Sequence, residues 1–149
     1  MGLDLGERRV GVAVSDTGRT LASPRTTVTR TGDPDRDLQH LVDVITEEEP
    51  VLVVVGLPLS LDGRRGAQAD RAVAEAERLA GRLAAGGIGT ELFDERLTTV
   101  SAATALAAAG TPSRKRRSVI DRSAATVLLQ AWIDREQATV RRARGTDRG

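Results

Sequence analysis

The chain has 149 residues, of which 40% are apolar and 29% charged, and this composition is typical of one ordinary globular domain. Because it contains no cysteine, disulfides, zinc–thiolate sites and thiol nucleophiles are all excluded. No apolar run approaches the roughly 20 residues of a membrane span, and the first residues lack the pattern of a signal peptide. We therefore expect a cytoplasmic protein with no membrane partner.

The formal net charge is only +1, but the basic residues are concentrated near the carboxyl end. Residues 111–149 contain ten basic and four acidic side chains. Clustered Arg and Lys attract phosphate backbones, so this distribution indicates contact with a polyanion. A merely solvated basic tail is the competing interpretation.

Hydrophobic periodicity and turn residues predict the secondary structure. Val10, Val12 and Val14 alternate with small residues, as in a half-buried strand. Asp33 followed by Pro34 is typical of a helix start. The predicted elements are strands over 3–5, 9–15 and 21–29, a helix from 34 that Pro50 terminates, a strand over 51–55, a helix over 67–85, a strand over 91–93, a helix from 98 or 99 to about 110, and a last helix over 119–139.

This order predicts an α/β protein with a mixed five-stranded sheet. The first three strands are antiparallel, and β–α units that follow them place helices on both faces of the sheet. The continuously apolar run over 51–55 suits a central strand that is covered on both sides. We expect a single domain over residues 1–139 and a flexible arginine-rich tail over residues 140–149.

Few residue types are available for catalysis. The chain has one histidine, His40 in the first helix, and no tyrosine, and it contains no Gly-x-Ser-x-Gly sequence. The segment that begins at Gly56 lacks the lysine and the spacing of a phosphate-binding P-loop. One histidine without thiols does not make a usual zinc site. Chemistry based on carboxylates and magnesium remains.

Acidic residues stand at three places where strands and helices begin or end. Asp4 lies inside the first strand, Asp94 and Glu95 follow the fifth strand, and Asp121 opens the last helix. Each has a purely structural alternative, namely turn amides for Asp4, Arg96 for Glu95 and the helix dipole for Asp121. Together they could meet at one sheet edge and hold Mg²⁺ or Mn²⁺ through oxygen ligands.

Four segments of the chain resemble the signature blocks of the YqgF/RuvX family. They are Met1–Asp16 (MGLDLGERRVGVAVSD), Val55–Gly63 (VGLPLSLDG), Asp94–Ser101 (DERLTTVS) and Ile120–Asp134 (IDRSAATVLLQAWID). Members of this family are described as Holliday junction resolvases and as pre-16S rRNA processing nucleases. The blocks occur in order over nearly the whole chain, which makes the resemblance specific.

The resemblance implies a ribonuclease-H-like fold, a divalent metal and a catalytic carboxylate set matching Asp4, Glu95 and Asp121. We favour Glu95 over Asp94 as the ligand, because consecutive residues of an extended strand point to opposite sides. Asp94 remains the alternative. Where this chain has Arg8 the family usually has lysine, which keeps the charge but changes its geometry.

Arginines near these blocks are candidates for contact with phosphate, since the guanidinium presents a planar fork to phosphate oxygens. A solvated charge is the alternative for each one. The candidates for nucleic-acid binding are Arg8, Arg9, Arg64, Arg65, Arg96, Arg114, Lys115, Arg116 and Arg117. Trp132 is expected in the core rather than stacked on a base.

The sequence leaves several functions open. The substrate is either branched DNA, which calls for a two-fold homodimer with two active sites, or precursor rRNA, for which a monomer suffices. A nucleic-acid-binding or transcription-associated protein without catalysis is an alternative from another class. The Gly-x-Asp-x-Gly sequence at the start also resembles the phosphate hairpin of sugar kinases and actin-like ATPases, but those enzymes need two such domains.

Replacement of Arg114, Arg116 and Arg117 by Ala is expected to weaken nucleic-acid binding and to flatten its salt dependence. The reason is that the number of counterions released scales with the number of phosphates neutralised. Affinity measured across a series of salt concentrations provides the test. A slope equal to that of the wild type would show that this basic loop faces away from the substrate.

Overall fold

The computed structural model describes residues 1–98 and 123–146. They form five strands, three long helices and one short 3₁₀ turn. In chain order these are β1 (Gly2–Leu5), β2 (Arg9–Ser15), β3 (Ala22–Thr29), α1 (Pro34–Glu48), β4 (Leu52–Leu57), α2 (Ala67–Leu83), the 3₁₀ turn (Ala84–Gly86), β5 (Gly89–Asp94) and α3 (Ala124–Thr146). Residues 96–98 begin a helical turn, and the rest of the helix expected to end near residue 110 lies outside the described residues.

The five strands form one mixed sheet in the order β3-β2-β1-β4-β5. β1 and β2 pair antiparallel, as do β2 and β3. β4 then pairs parallel with β1 on one side and with β5 on the other. The predicted mixed α/β sheet, with three antiparallel strands followed by β–α units, is therefore confirmed. This topology matters for the site, because β1, β4 and β5 all end at the same edge of the sheet.

Helices cover both faces of this sheet. On one face α1 and α2 pack through Leu41 and Leu79 against Leu3 of β1. On the other face α3 packs through Leu129 and Trp132 against the sheet. Strand β4 contributes to both cores, because Val53 and Val55 face the first and Val54 faces the second. This is the two-sided burial expected of a continuously apolar strand.

Strand β3 forms one edge of the sheet and carries a bulge. The register with β2 shifts between Val12 and Ala13, which pair with Thr26 and Pro24, so Arg25 is the extra residue. Proline has no N–H to donate and is tolerated in sheets mainly at edges and bulges. Arg25 forms an ion pair with Glu48 at the end of α1.

Most predicted boundaries agree with the structure, and two differ in an informative way. Asp33 caps α1 by accepting the N–H groups of Asp35 (3.0 Å) and Arg36 (3.2 Å), as expected from the Asp-Pro pair. The predicted end of β4 at residue 55 is wrong, because parallel pairing with β5 continues to Leu57. The predicted last helix over 119–139 is also wrong at both ends, since α3 begins at Ala124, after the non-helical Ser123, and continues to Thr146. The flexibility of the tail over 140–149 stays a prediction.

Two single residues lie where the sequence placed them. Trp132 is 9% exposed, and its indole N–H donates a 3.1 Å bond to Glu91 of β5. His40 is exposed on α1. Across residues 1–98 and 123–146, no helix has the length and hydropathy needed to span a membrane.

Asp37 ties the start of α1 to the segment that precedes it. Its carboxylate is 7% exposed and accepts the N–H groups of Thr31 (2.8 Å) and Gly32 (3.3 Å) as well as the Thr31 hydroxyl (2.7 Å). These hydrogen bonds hold the pKa of Asp37 below its ordinary value of 3.8. A carboxyl group whose pKa is lowered by folding stabilises the protein above its unfolded-state pKa.

We therefore expect Asp37→Asn to lower the melting temperature at neutral pH. The difference from the wild type should narrow as the pH falls from about 3.8 towards the lower pKa of the folded state, because the unfolded chain binds a proton at Asp37 before the folded protein does. Thermal unfolding followed by circular dichroism over a pH series measures this, with the exposed Asp43→Asn as the matched control. A difference that stays constant into the acid range would contradict it.

Candidate metal and catalytic site

Asp4 occupies the third position of β1, opposite Gly11 of β2. Leu3 beside it is fully buried among the side chains of α1 and α2, so alternation along the strand turns Asp4 to the α3 face. A Cβ placed on Gly11 would lie 3.7 Å from the Asp4 Cβ and 3.4 Å from the Ala125 Cβ of α3. Asp4 is therefore half-buried between the central strands and the start of the last helix.

Glu95 follows β5 directly and returns towards β1. Its backbone N–H donates to the carbonyl of Leu57 at the end of β4 (3.1 Å), which fixes the turn at the sheet edge. Its carboxyl group lies close enough to that of Asp4 for each to shift the pKa of the other. Two residues that are 91 positions apart in the sequence thus meet because β1, β4 and β5 end at a common edge.

Gly56 of β4 makes the room that Glu95 needs. A Cβ at this position would overlap the Glu95 carboxylate oxygen and would lie 3.1 Å from its Cγ and 3.2 Å from its Cδ. Gly56 is itself buried in the parallel pair with Phe93 of β5. The glycine is therefore required by close approach, a role that its position just after the predicted strand over 51–55 did not indicate.

Both carboxyl groups hold their protons more tightly than usual. Burial raises the pKa of Asp4, and the hydrogen bond with Glu95 offsets part of this. Burial also raises the pKa of Glu95, as do the charges of Asp4 and Asp94 and the hydrogen bond with Asp4. A positive charge between the two groups would lower both pKa values, because opposite charge favours the ionised form of a carboxyl group.

Asp94 is turned away from this pair and bound by Arg96. The Arg96 Nε lies 3.1 and 3.0 Å from the two Asp94 oxygens, its Nη2 donates at 2.6 Å, and its backbone N–H donates at 3.0 Å. These bonds lower the pKa of Asp94, chiefly through the Arg96 side chain. Glu95 is thus the acid that faces Asp4, which supports the preference for Glu95 over Asp94 as ligand.

Arg30, which sequence reasoning did not single out, supports the turn beyond Asp4. Its Nε donates to the carbonyl of Gly6 (2.8 Å), and its two Nη atoms donate to both oxygens of Glu75 on α2 (2.8 and 2.9 Å). The two side chains are only 17% and 20% exposed. An arginine directly after a strand, with a glutamate on a facing helix, would have been the signal.

The arginines proposed from the sequence lie in different settings. Arg8 and Arg9 are exposed at the turn between β1 and β2. Arg64 (87% exposed) pairs with Asp62 at 3.2 Å, and Arg65 pairs with Asp70 at 3.0 Å. Arg96 is engaged by Asp94, so its immediate role in this structure is to brace the strand exit. Contact with phosphate stays a prediction for all five.

The third predicted acid, Asp121, lies outside the described residues, and so do Arg114, Lys115, Arg116 and Arg117. Within residues 1–98 and 123–146, no group of three or more Asp, Glu, His or Cys side chains is arranged to hold a metal. The described part of the site is therefore the Asp4–Glu95 pair. Its donors are carboxylate oxygens alone, which suits hard cations such as Mg²⁺ and Mn²⁺.

The fold and this acidic edge define a ribonuclease-H-like α/β protein. The structure of RuvC from Thermus thermophilus covers 93% of this chain and 95% of its own, with a TM-score of 0.57 at 13% identity. RuvC from the same organism in complex with a Holliday junction substrate gives a TM-score of 0.53 at 15% identity, covering 91% and 93%. The predicted ribonuclease-H-like fold is confirmed.

Residues 1–135 match the family model described as "RuvX: Holliday junction resolvase", and the chain belongs to this family. A relative from Mycobacterium sp. (strain KMS) is 44% identical over 140 residues, covering 94% of this chain and 82% of its own. One from Nocardia farcinica (strain IFM 10152) is 43% identical over 146 residues, covering 95% and 80%. Both carry the name "Putative pre-16S rRNA nuclease". The resemblance seen in the four sequence blocks is confirmed.

Gly56→Ala is expected to reduce nucleic-acid cleavage by about 100-fold, because the new Cβ displaces the Glu95 carboxylate and small misplacements in a site cost that much. The overlap is with the mobile end of a side chain, so the melting temperature should stay close to that of the wild type. Gly81→Ala is the matched control, since a Cβ there meets nothing within 4 Å. Wild-type cleavage by the Gly56 variant would contradict the packing argument.

Glu95→Gln and Asp94→Asn separate the two neighbouring acids. The first removes the carboxylate that faces Asp4, so we expect no detectable metal-dependent cleavage. The Asp94→Asn variant weakens only the ion pair with Arg96 and should leave a reduced but measurable cleavage rate. Cleavage rates at saturating magnesium compare them, and the reverse order of severity would assign the ligand to Asp94.

Proposed function

We propose that this protein hydrolyses phosphodiester bonds in nucleic acid and depends on a divalent metal held by Asp4, Glu95 and Asp121. The observation that carries the proposal is the meeting of the Asp4 and Glu95 carboxyl groups at the edge where β1, β4 and β5 end. Membership of the RuvX family and the ribonuclease-H-like fold support the same class of enzyme.

The carboxylates of Asp4 and Glu95, together with Asp121, would hold Mg²⁺ or Mn²⁺. When bound, such ions activate a water molecule and stabilise the leaving oxygen in an in-line displacement. The chain's own contribution is to keep the Asp4 and Glu95 carboxyl groups close while they are partly shielded from water. Gly56 provides the space for this, and the Asp94–Arg96 pair keeps the neighbouring acid out of it.

The substrate is either a DNA four-way junction or precursor rRNA. The family description favours the junction, and the names of the curated relatives favour the rRNA. A four-way junction calls for two active sites related by two-fold symmetry, and hence for a homodimer. The oligomeric state, measured by sedimentation, is therefore a direct discriminator between the two substrates.

Asp4→Asn is expected to abolish cleavage while leaving folding and nucleic-acid binding largely intact, because it removes a metal ligand without changing the size of the side chain. The assay compares a synthetic four-way junction with a precursor rRNA fragment, in magnesium and in EDTA. Asp43→Asn, on the exposed face of α1, is the control and should cleave as the wild type does. Equal cleavage rates for Asp4→Asn and the wild type would refute the assignment of Asp4 to the site. If the wild type cleaves neither substrate, the proposed nuclease activity is refuted.

A further inference from the structure

A leucine stands almost fully in solvent next to the candidate site. Leu61 is 97% exposed, more than any other large apolar side chain in the part of the chain that the structure describes. It lies in the strand-end loop, residues 58–66, which follows β4 directly after Gly56 and Leu57. Single exposed apolar residues are common on proteins, so exposure alone assigns no role.

The strand-end loop is built to hold this leucine in place. The Ser60 N–H (3.1 Å) and hydroxyl (3.0 Å) both donate to the carbonyl of Arg64, and the Gly63 N–H donates to the carbonyl of Ser60 (2.8 Å). Asp62 accepts the Arg64 N–H (3.0 Å). Gly63 adopts a φ of 85°, which only glycine takes without strain. Leu61 therefore projects from a closed, hydrogen-bonded turn.

The same loop is tied to the candidate site through Arg96. The Arg96 Nη1 points at the carbonyl of Leu61 (3.5 Å), and a Cβ on Gly63 would lie 3.3 Å from that nitrogen. Arg96 is bound to Asp94 and directly follows Glu95.

On a nucleic acid, the surface that matches an apolar side chain is the face of a base. Base faces become accessible only where stacking or pairing is interrupted. Proteins commonly use aromatic side chains for this contact. The chain has one tryptophan, one phenylalanine and no tyrosine, and both Trp132 and Phe93 are buried. An aliphatic side chain is what remains for this contact.

We infer that Leu61 is a specificity-determining residue that packs against unstacked bases, directing the site to branched, bulged or unpaired nucleic acid in preference to a continuous duplex. This inference rests on the proposed function for its substrate class. The strand-end loop holds Leu61, Arg64 and Arg65 contact the backbone, and Leu61 fills the gap that opens where two bases separate. Replacing it changes the choice of substrate without altering the acids.

The test measures binding in EDTA, so that it does not depend on cleavage. The probes are a duplex with an unpaired adenine bulge, a four-way junction and a fully paired duplex, each as DNA, and the bulged and paired forms also as RNA. Leu61→Ser is expected to lower affinity for the bulged or branched probes by about tenfold, because the variant loses the burial of an apolar side chain against a base. Its affinity for the paired duplex should equal that of the wild type.

Two further variants keep the test specific. Leu61→Met preserves an apolar side chain and should retain the preference for unpaired bases. Val51→Ser, a matched control at the opposite end of β4 where Val51 is 71% exposed, should change neither affinity. An equal loss on paired and unpaired probes, or no loss on either, would overturn the inference. If the wild type binds with this preference but never cleaves in magnesium, the proposed function fails and the role of Leu61 stands.

Discussion

Two carboxyl groups face each other at the edge of the sheet, and neither can be ionised cheaply while the other is. Asp4 and Glu95 are each half-buried, and their pKa values are raised by burial, in the case of Glu95 also by the neighbouring charges. Like charges at close range require either a shared proton or a cation between them. A metal ion between the two groups would supply the charge that makes this contact favourable. The rest of the structure serves to bring these two groups together and to keep them there.

Several interactions around the pair position the two acids. Parallel pairing of β4 with β1 and β5 sets the two acids side by side, and a glycine on the middle strand leaves the space between them. Arg30 clamps the turn beyond Asp4 to Glu75, and Arg96 holds Asp94 away from Glu95. Arg30 and Arg96 are bound to other acids, so among the described residues the Asp4 and Glu95 carboxyl groups are left facing each other. Rigid support of this kind is what a site needs to hold its geometry.

Much of this was accessible from the sequence, because the strongest patterns are local. Alternating valines defined β2, and the Asp-Pro pair defined the start of α1. Glu95 was preferred to Asp94 from strand alternation, and in the structure Glu95 faces Asp4. Features that depend on distant partners were not accessible. Gly56 was placed just after the predicted strand over 51–55, because a glycine gives no sign of the side chain that will lie against it. The extension of α3 to Thr146 has no apolar stripe, and its good helix formers are the exposed run from Arg141 to Arg144.

The bulged strand at the other end of the sheet bears on how copies of this chain can associate. An exposed strand edge is a template for pairing with a second sheet, and proteins block it with proline, charge or a bulge. β3 carries all three at one point, in Pro24 and the extra residue Arg25. Continuous sheet extension across this border is therefore disfavoured, which protects the chain from aggregation. A two-fold assembly through this border is therefore disfavoured, whereas the helical faces, the loops and the opposite border at β5 carry no such block in the described residues.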